Sequence, residues 1–335
     1  MIKSKMLLVL SSFLMLGGGL TACGVDEEDP LNTTLPSEPQ YGKIIDLPGA
    51  GGWPADPSVI EVEGAWYLYP TTTSVSIECW RSDDFENWSY EGVVWGPAVP
   101  GAWNDNNVWA PDVFEHEGQF YLYYSANEMI GVAVADSPMG PFVDAYDHPL
   151  IGGGYGGVAF NTIDPHMFRD RDARLYLYAT GYSPLTFMRV IPMSDPLTVG
   201  GDWSFLFMAN PFSWEGFISE GPWMVVRDNV YYLMYSGNGA NRPQYALGYA
   251  TADNPTGPFT KNERNPILEA DSDYDFYGPG HNSVTVGPGG ELWMFYHTKV
   301  NACINWERLL RKNKIAFGED GQLYVDLGVD PSPPL

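Results

Sequence analysis

Cysteine is scarce: Cys23, Cys79 and Cys303 are the whole set. No CxxC pair and no Cys/His cluster has zinc spacing, which excludes a zinc module and a dithiol redox motif. Positive charge is scarce too. Seventeen Lys and Arg stand against 42 Asp and Glu, a net charge of −25. Such a surface repels nucleic acid and anionic membranes. Long apolar runs are missing. The one candidate, Met6 to Leu16, falls short of the roughly 18 residues that a spanning helix needs. Beyond residue 40 there is also no long stretch of helical periodicity.

The early apolar run has another use. Lys3 and Lys5 precede it, and Gly17-Gly18-Gly19 and Leu20-Thr21-Ala22-Cys23 follow. This layout fits a signal segment over residues 1–22, and its end resembles the bacterial lipobox, in which the chain is cut before a cysteine that carries lipid. The alternative is a plain secretory signal with an incidental Cys23. Residues 23–42 are polar and proline-containing and read as a flexible tether. The expectation is an exported lipoprotein of the outer membrane, since Gly24 is not the aspartate associated with inner-membrane retention. The remaining span, 43–335, suits one all-β domain.

What is abundant is aromatic: 12 Trp, 21 Tyr and 16 Phe. They fall in short runs broken by Gly, Pro, Asn and Asp. One pattern recurs as "EGAWYLYP", "EGQFYLYYS", "DARLYLYAT", "DNVYYLMYS" and "GELWMFYHT". Anchored at Gly64, Gly118, Ala173, Asn229 and Gly290, the copies lie 54, 55, 56 and 61 residues apart. "ADSPMGPFVD" and "ADNPTGPFTK" form a second repeat, with "SDDFENWSY" in the matching place of the first unit. A period of 50 to 60 residues with several short strands per unit predicts a five-bladed β-propeller with four antiparallel strands per blade.

In a propeller the first strand of each blade lines the axis, so residues at one end of those strands converge. Asp56, Asp164, Glu220 and His281 precede their anchors by 8, 9, 9 and 9 residues. Ala110 stands opposite Asp56 in the second unit, with Asp112 shifted by two. A single Asp before Pro or Gly commonly just starts a turn. Three acids at matching repeat positions point to a site at one axial mouth. Trp53, Trp103, Trp109, Tyr155, Phe217 and Trp223 surround the acids in sequence. Of these, Trp53 and Trp109 are favoured as pocket walls and Trp223 as core. His166 could reach the pocket, His297 is core or rim, and His116 and His148 read as turn and loop residues. Cys79 and Cys303 lie on blades that closure makes neighbours. They form either a disulfide stapling the ring or two buried thiols.

The strings "DPSVI", "WAPDVFEHEGQFYLYYS", "NTIDPHMF", "SEGPW" and "GPGHNSV" together resemble glycoside hydrolase family 43, five-bladed propeller arabinanases, arabinofuranosidases and β-xylosidases. The resemblance runs from about Gly51 to Leu327. It implies that Asp56 is the general base, Glu220 the general acid, and Asp164 the residue that tunes and orients the acid. It implies that Arg308 contacts the terminal sugar, while Trp53, Trp109, Asp112 and Phe217 are candidates for substrate contact from their nearness to the acids in the sequence. It implies no cofactor for the chemistry, with His281 beside an axial water or a calcium or other ion. Inverting hydrolysis needs a protonated carboxyl at the leaving oxygen and an ionised one that activates water, roughly 6.5 to 9.5 Å apart.

The resemblance favours an inverting hydrolase of α-L-arabinofuranosyl or related pentosyl linkages. No second β-sandwich follows in the sequence, which weakens the β-xylosidase alternative. Galactan- or agar-derived sugars on the same fold, and a non-catalytic glycan-binding propeller, are the competing readings. A binder would tolerate the loss of an acid, and here all three are present. The expected partner is an oligo- or polysaccharide, met by a monomer that touches membrane only through its N-terminal lipid.

Overall fold

A computed structural model of the chain describes residues 38–157, 161–182 and 185–328. The expected signal segment, Cys23 and most of the tether lie outside the described residues. The strands form five antiparallel sheets, each built from consecutive chain. Blade one holds β1 (Ala55–Val62), β2 (Ala65–Thr71), β3 (Ile77–Ser82) and β4 (Ser89–Trp95). Blade two holds β5 (Val108–His116), β6 (Gln119–Ala126), β7 (Met129–Ala135) and β8 (Val143–Asp144). Blade three holds β9 (Thr162–Arg169), β10 (Leu175–Tyr182), β11 (Thr186–Asp195), β12 (Thr198–Val199) and β13 (Ser204–Met208). Blade four holds β14 (Ser219–Arg227), β15 (Val230–Gly237), β16 (Ala246–Ala252) and β17 (Thr260–Lys261). Blade five holds β18 (Tyr277–Val286), β19 (Leu292–Lys299), β20 (Arg308–Phe317) and β21 (Leu323–Val325). Blade three departs from the four-strand plan: β12 and β13 both pair with β11, so its outer strand is in two pieces.

The repeats have a physical cause. The second strand of each blade is covered on both faces by neighbouring blades, so both of its period-2 faces must be apolar. On β6, Phe120, Leu122 and Tyr124 pack against blade one, while Tyr121 and Tyr123 pack against blade three. On β15, Tyr231, Leu233 and Tyr235 face blade three, while Tyr232 and Met234 face blade five. Five apolar clusters result, one per blade interface. The hydroxyls are used as well. Tyr69, Tyr123 and Tyr178 each donate to a proline carbonyl of the next blade, at Pro138, Pro196 and Pro255, all at 2.6 Å. Two of these prolines belong to the second sequence repeat, which is thus a docking point for the preceding blade.

No disulfide through Cys79 joins blade one to blade five. Cys79 is a free, fully buried thiol with Sγ 3.6 Å from the Trp80 carbonyl, so it does not pair with Cys303. Closure comes instead from the segment before β1, which lies along blade five. Ile45 N donates to Leu310 O at 2.9 Å, and Ile44 bridges to Arg311. Asn313 is the buried centre of this strap. Its Oδ1 accepts from Gly42 N at 2.8 Å and from Tyr296 OH at 2.7 Å, and its Nδ2 donates to Gln40 O at 2.9 Å. Among the described residues, Gln40 is already tied to the blades, inside the span expected to be tether.

Asn313→Ala would leave several of these buried groups unpaired, each costing about 1–3 kcal/mol. The expected outcome is a fall in melting temperature of roughly 5 °C or more by calorimetry. Cys79→Ser should show no loss of a cross-link on non-reducing gels.

Candidate active site

Each inner strand loses its pairing register at the same place, and β18 does so once more between Tyr277 and Gly280. There Asp56, Ala110, Asp164, Gly221 and His281 take the left-handed conformation, with φ of 46°, 46°, 54°, 62° and 48°. For a residue with a side chain this costs on the order of 1–3 kcal/mol. The bulge swings the side chain out of the sheet's alternation towards the axis. It also turns the amide out of its own ladder, and the preceding blade takes it up. Ala110 N donates to Thr71 Oγ1 at 2.9 Å, Asp164 N to Ser125 Oγ at 2.9 Å, and His281 N to Ser236 Oγ at 2.7 Å. Asp56 N lies 3.3 Å from His297 Nδ1. Gly221 N donates to Asp164 Oδ2 at 3.1 Å, and that oxygen also accepts from Thr180 Oγ1 at 3.2 Å.

Glu220 was expected in register with Asp56 and Asp164, and it is one residue out. The bulge of blade four is Gly221. Blades one, two and four place the bulge eight residues before the anchor, and blades three and five place it nine before. Two-residue turns with paired positive φ, such as Glu63-Gly64 and Asp228-Asn229, join the first two strands of blades one and four. Counting nine back from Asn229 therefore lands on Glu220. A Cβ on Gly221 would meet the His281 ring at 3.1 Å, so the carboxylate comes from the position before. Trp109 and Ile163 hold that earlier position in blades two and three.

These side chains line one cavity of about 320 Å³ with Thr71, Ala240, Trp306 and Arg308. Asp56, Asp164 and Glu220 share it but differ in surroundings. Asp56 Oδ1 is met by His297 Nδ1 at 3.2 Å, His281 Nδ1 at 3.3 Å and Arg308 Nη1 at 3.4 Å. Burial alone would raise its pKa, but His281, Arg308 and His297 hold it well below the usual carboxylate range. Glu220 is raised to about 8, first by burial and then by the Asp164 and Asp56 charges. Two groups pull the other way: Tyr245 OH donates to Glu220 Oε1 at 2.8 Å, and the Arg308 charge also favours the ionised form. Asp164 is itself raised, by burial and by Asp56.

Trp109, His281 and Arg308 stand in the cavity wall as expected. Asp112, Trp53 and Phe217 do not. Asp112 is buried behind the mouth, accepting from Met167 N at 2.7 Å and Ser58 Oγ at 3.4 Å, with His166 Nδ1 at 3.3 Å. Its oxygens tie the inner strands of blades one, two and three together. His166 is stacked on Trp223 there, at 4.2 Å. Trp53 and Phe217 are exposed and lie outside the cavity wall. Trp103 packs into the interface of blades one and two, and Tyr155 stacks on His148.

Trp306 and Tyr245 were not among the sequence candidates, and His297, expected as core or rim, meets Asp56 directly. Trp306 lies two residues before Arg308, a spacing that puts both on one face of an extended chain. His297 pairs across the sheet with Gly280, next to the bulge of blade five, a register the repeat alone could have given. Tyr245 leaves no signal in the sequence. It enters from the β15–β16 connection and stacks on His297 with planes 7° apart.

Below the mouth is an axial cavity of about 10 Å³, walled by Asp112, Asp164, His281, Asn282 and a ring of prolines. Asn282 Oδ1 is buried there without a partner. The space fits one water-sized occupant. Among the described residues no group of three or more His, Cys, Asp or Glu side chains is disposed to hold a metal ion.

The model of "Glycosyl hydrolases family 43" matches residues 48–323. A β-D-galactofuranosidase of Aspergillus niger is 31% identical over 294 residues, 81% of this chain and 82% of its own. A β-xylosidase of Xylanibacter ruminicola is 28% identical, covering 80% of this chain and 95% of its own. An extracellular endo-α-(1→5)-L-arabinanase of Thermotoga petrophila is 25% identical, covering 79% and 69%. The crystal structure of a thermostable family-43 glycoside hydrolase superposes with a TM-score of 0.76 at 32% identity, over 88% of this chain and 98% of that one. The propeller, the three convergent carboxyl groups and these matches lead to one conclusion: the chain belongs to glycoside hydrolase family 43 and is a glycosidase.

Proposed function

We propose that the enzyme is an inverting hydrolase of α-L-arabinofuranosyl linkages, with Asp56 as general base and Glu220 as general acid. The contrast between these two carboxyl groups carries the reading. Asp56, met by three nitrogen groups, is ionised and can accept a proton from water. Glu220, buried beside other acids, keeps its proton near neutral pH and can give it away. In the reaction the water oxygen bonds to the anomeric carbon while its proton passes to Asp56. The bond to the leaving oxygen breaks, and that oxygen takes the Glu220 proton. Attack opposite the leaving group inverts the anomeric centre. Asp164 acts as pKa modulator: it raises Glu220 by its charge, and by accepting from Gly221 N it fixes the backbone next to Glu220. The steps use only carboxyl groups and water, with any ion near His281 confined to holding the axis together.

The named furanosidase and arabinanase among the relatives support a five-membered sugar ring, and the 31% identity to the former favours β-D-galactofuranosyl as the second reading. Nitrophenyl α-L-arabinofuranoside, β-D-galactofuranoside and β-D-xylopyranoside decide between these, with fastest turnover expected for the first. We also propose that Cys23 anchors the enzyme to the outer membrane. Cys23→Ser should then move it from the detergent phase to the aqueous phase, and equal partitioning of the two forms refutes the anchor.

Glu220→Gln keeps shape but has no proton to give. Turnover of unactivated glycosides should fall by about 10²- to 10⁴-fold, and of nitrophenyl glycosides by less. Asp56→Asn should abolish both. Product NMR should show inverted configuration; retention overturns the roles.

The pH profile offers a test with opposite signs. Activity needs protonated Glu220, so it should fall as pH rises through about 8. Asp164→Asn removes a negative neighbour, eases ionisation of Glu220 and should move that alkaline limb down. Tyr245→Phe removes a donor that favours the carboxylate and should move it up. Profiles of kcat/KM for the two variants check both directions.

A further inference from the structure

The catalytic cavity, at about 320 Å³, lies at the lower end of small-molecule sites and holds only a small part of a polymer. The rest of a glycan must lie on the mouth face. The crossover from β13 to β14 lies at that end of the sheets and enters β14 at Ser219, one residue before Glu220. It reads "ANPFSWEGFI", residues 209–218. Phe212 is 97% exposed and Phe217 61%, with Met208 half-exposed at the start of the crossover.

Single exposed apolar side chains need no explanation. This group differs because the loop beneath it is held rigidly. Glu215 is buried and takes three donors: Asn210 N, Lys261 Nζ and Tyr235 OH, each at 2.6 Å. Lys261 Nζ also donates to Met208 O at 2.7 Å. Trp214 fills the space left by Gly237 and Gly248, where a Cβ would meet its ring at 2.5 and 2.7 Å. Ala209 N donates to Thr186 O at 3.0 Å, and Phe217 O accepts from Thr186 N at 3.3 Å. A buried ion pair is costly to desolvate. Here its effect is to fix a loop whose neighbouring side chains, Phe212 and Phe217, point to water.

We propose that Phe212 and Phe217 form a platform on which the polysaccharide chain stacks on the leaving-group side of the scissile bond. The inference rests on the reading of Glu220 as general acid, since the chain beyond the leaving oxygen must extend on the acid's side. A sugar ring offers a flat C–H face to such aromatics, and a neutral glycan is not repelled by a protein of charge −25. Pre-ordered aromatic rings add contact area at little entropic cost.

The test is Phe212→Ala, whose exposed side chain is dispensable for folding. Kinetics on debranched arabinan and on nitrophenyl α-L-arabinofuranoside are compared with the parent, alongside mobility in native gels cast with arabinan. The expected result is KM for arabinan raised about tenfold, loss of gel retardation, and unchanged kinetics on the aryl glycoside. Phe212→Trp should restore both arabinan readouts. Equal KM changes on the two substrates, or no change in either KM or retardation on arabinan, overturn the platform. Failure of the acid assignment shows separately, as undiminished arabinan turnover by Glu220→Gln.

Discussion

The site depends on a hand-over of backbone amides between blades. At each inner-strand bulge the amide leaves its own sheet, and a side chain on the second strand of the preceding blade receives it: Thr71, Ser125 and Ser236 do so directly. Thr180 acts through Asp164, and His297 closes the circle at Asp56. A buried amide without a partner is expensive. The left-handed residue and its receiver on the neighbouring blade therefore stand or fall together. The apolar interfaces bring the blades into contact, and the amide hand-over fixes how the residues at the mouth are aimed.

From this follows the division of labour among the acids. Two of the five bulges carry aspartate, and the third acid enters one residue early because Gly221 leaves room for His281. Asp56 sits where blade five delivers His281, His297 and Arg308. Glu220 sits where blade three delivers another carboxylate. Like groups in one cavity are thereby driven to opposite protonation states, which is what acid–base hydrolysis requires. Tyr245 links the two halves, bonded to Glu220 and stacked on His297.

Most of the fold was legible because it repeats. Gly64, Gly118, Ala173, Asn229 and Gly290 are all turn residues with positive φ, and the strands that follow are apolar on both faces. The three acids were legible for the same reason. The one-residue offset of Glu220 was not, since turn length is hidden inside the repeat count. Asp112 was misread because its charge is visible in sequence while the amide and hydroxyl that use it, from Met167 and Ser58, come from other blades. Trp53 and Phe217 were placed by nearness in sequence to acids, and three residues of chain suffice to leave the cavity. Tyr245 and Trp306 arrive on connections outside the repeat. The Cys79–Cys303 staple failed because Cys79 faces the interface of blades one and two.

The five bulges accept Asp, Ala, Asp, Gly and His without change of backbone. The conformation is imposed by the neighbouring blade and does not rely on the residue's own preference. Each position is thus a socket whose occupant is open to exchange at little risk to the architecture. Ala110 is a socket holding no reactive group. A lineage built on this scaffold can alter its chemistry by single substitutions at the axis and its choice of sugar by lengthening the connections around the mouth, and the two kinds of change need not interfere.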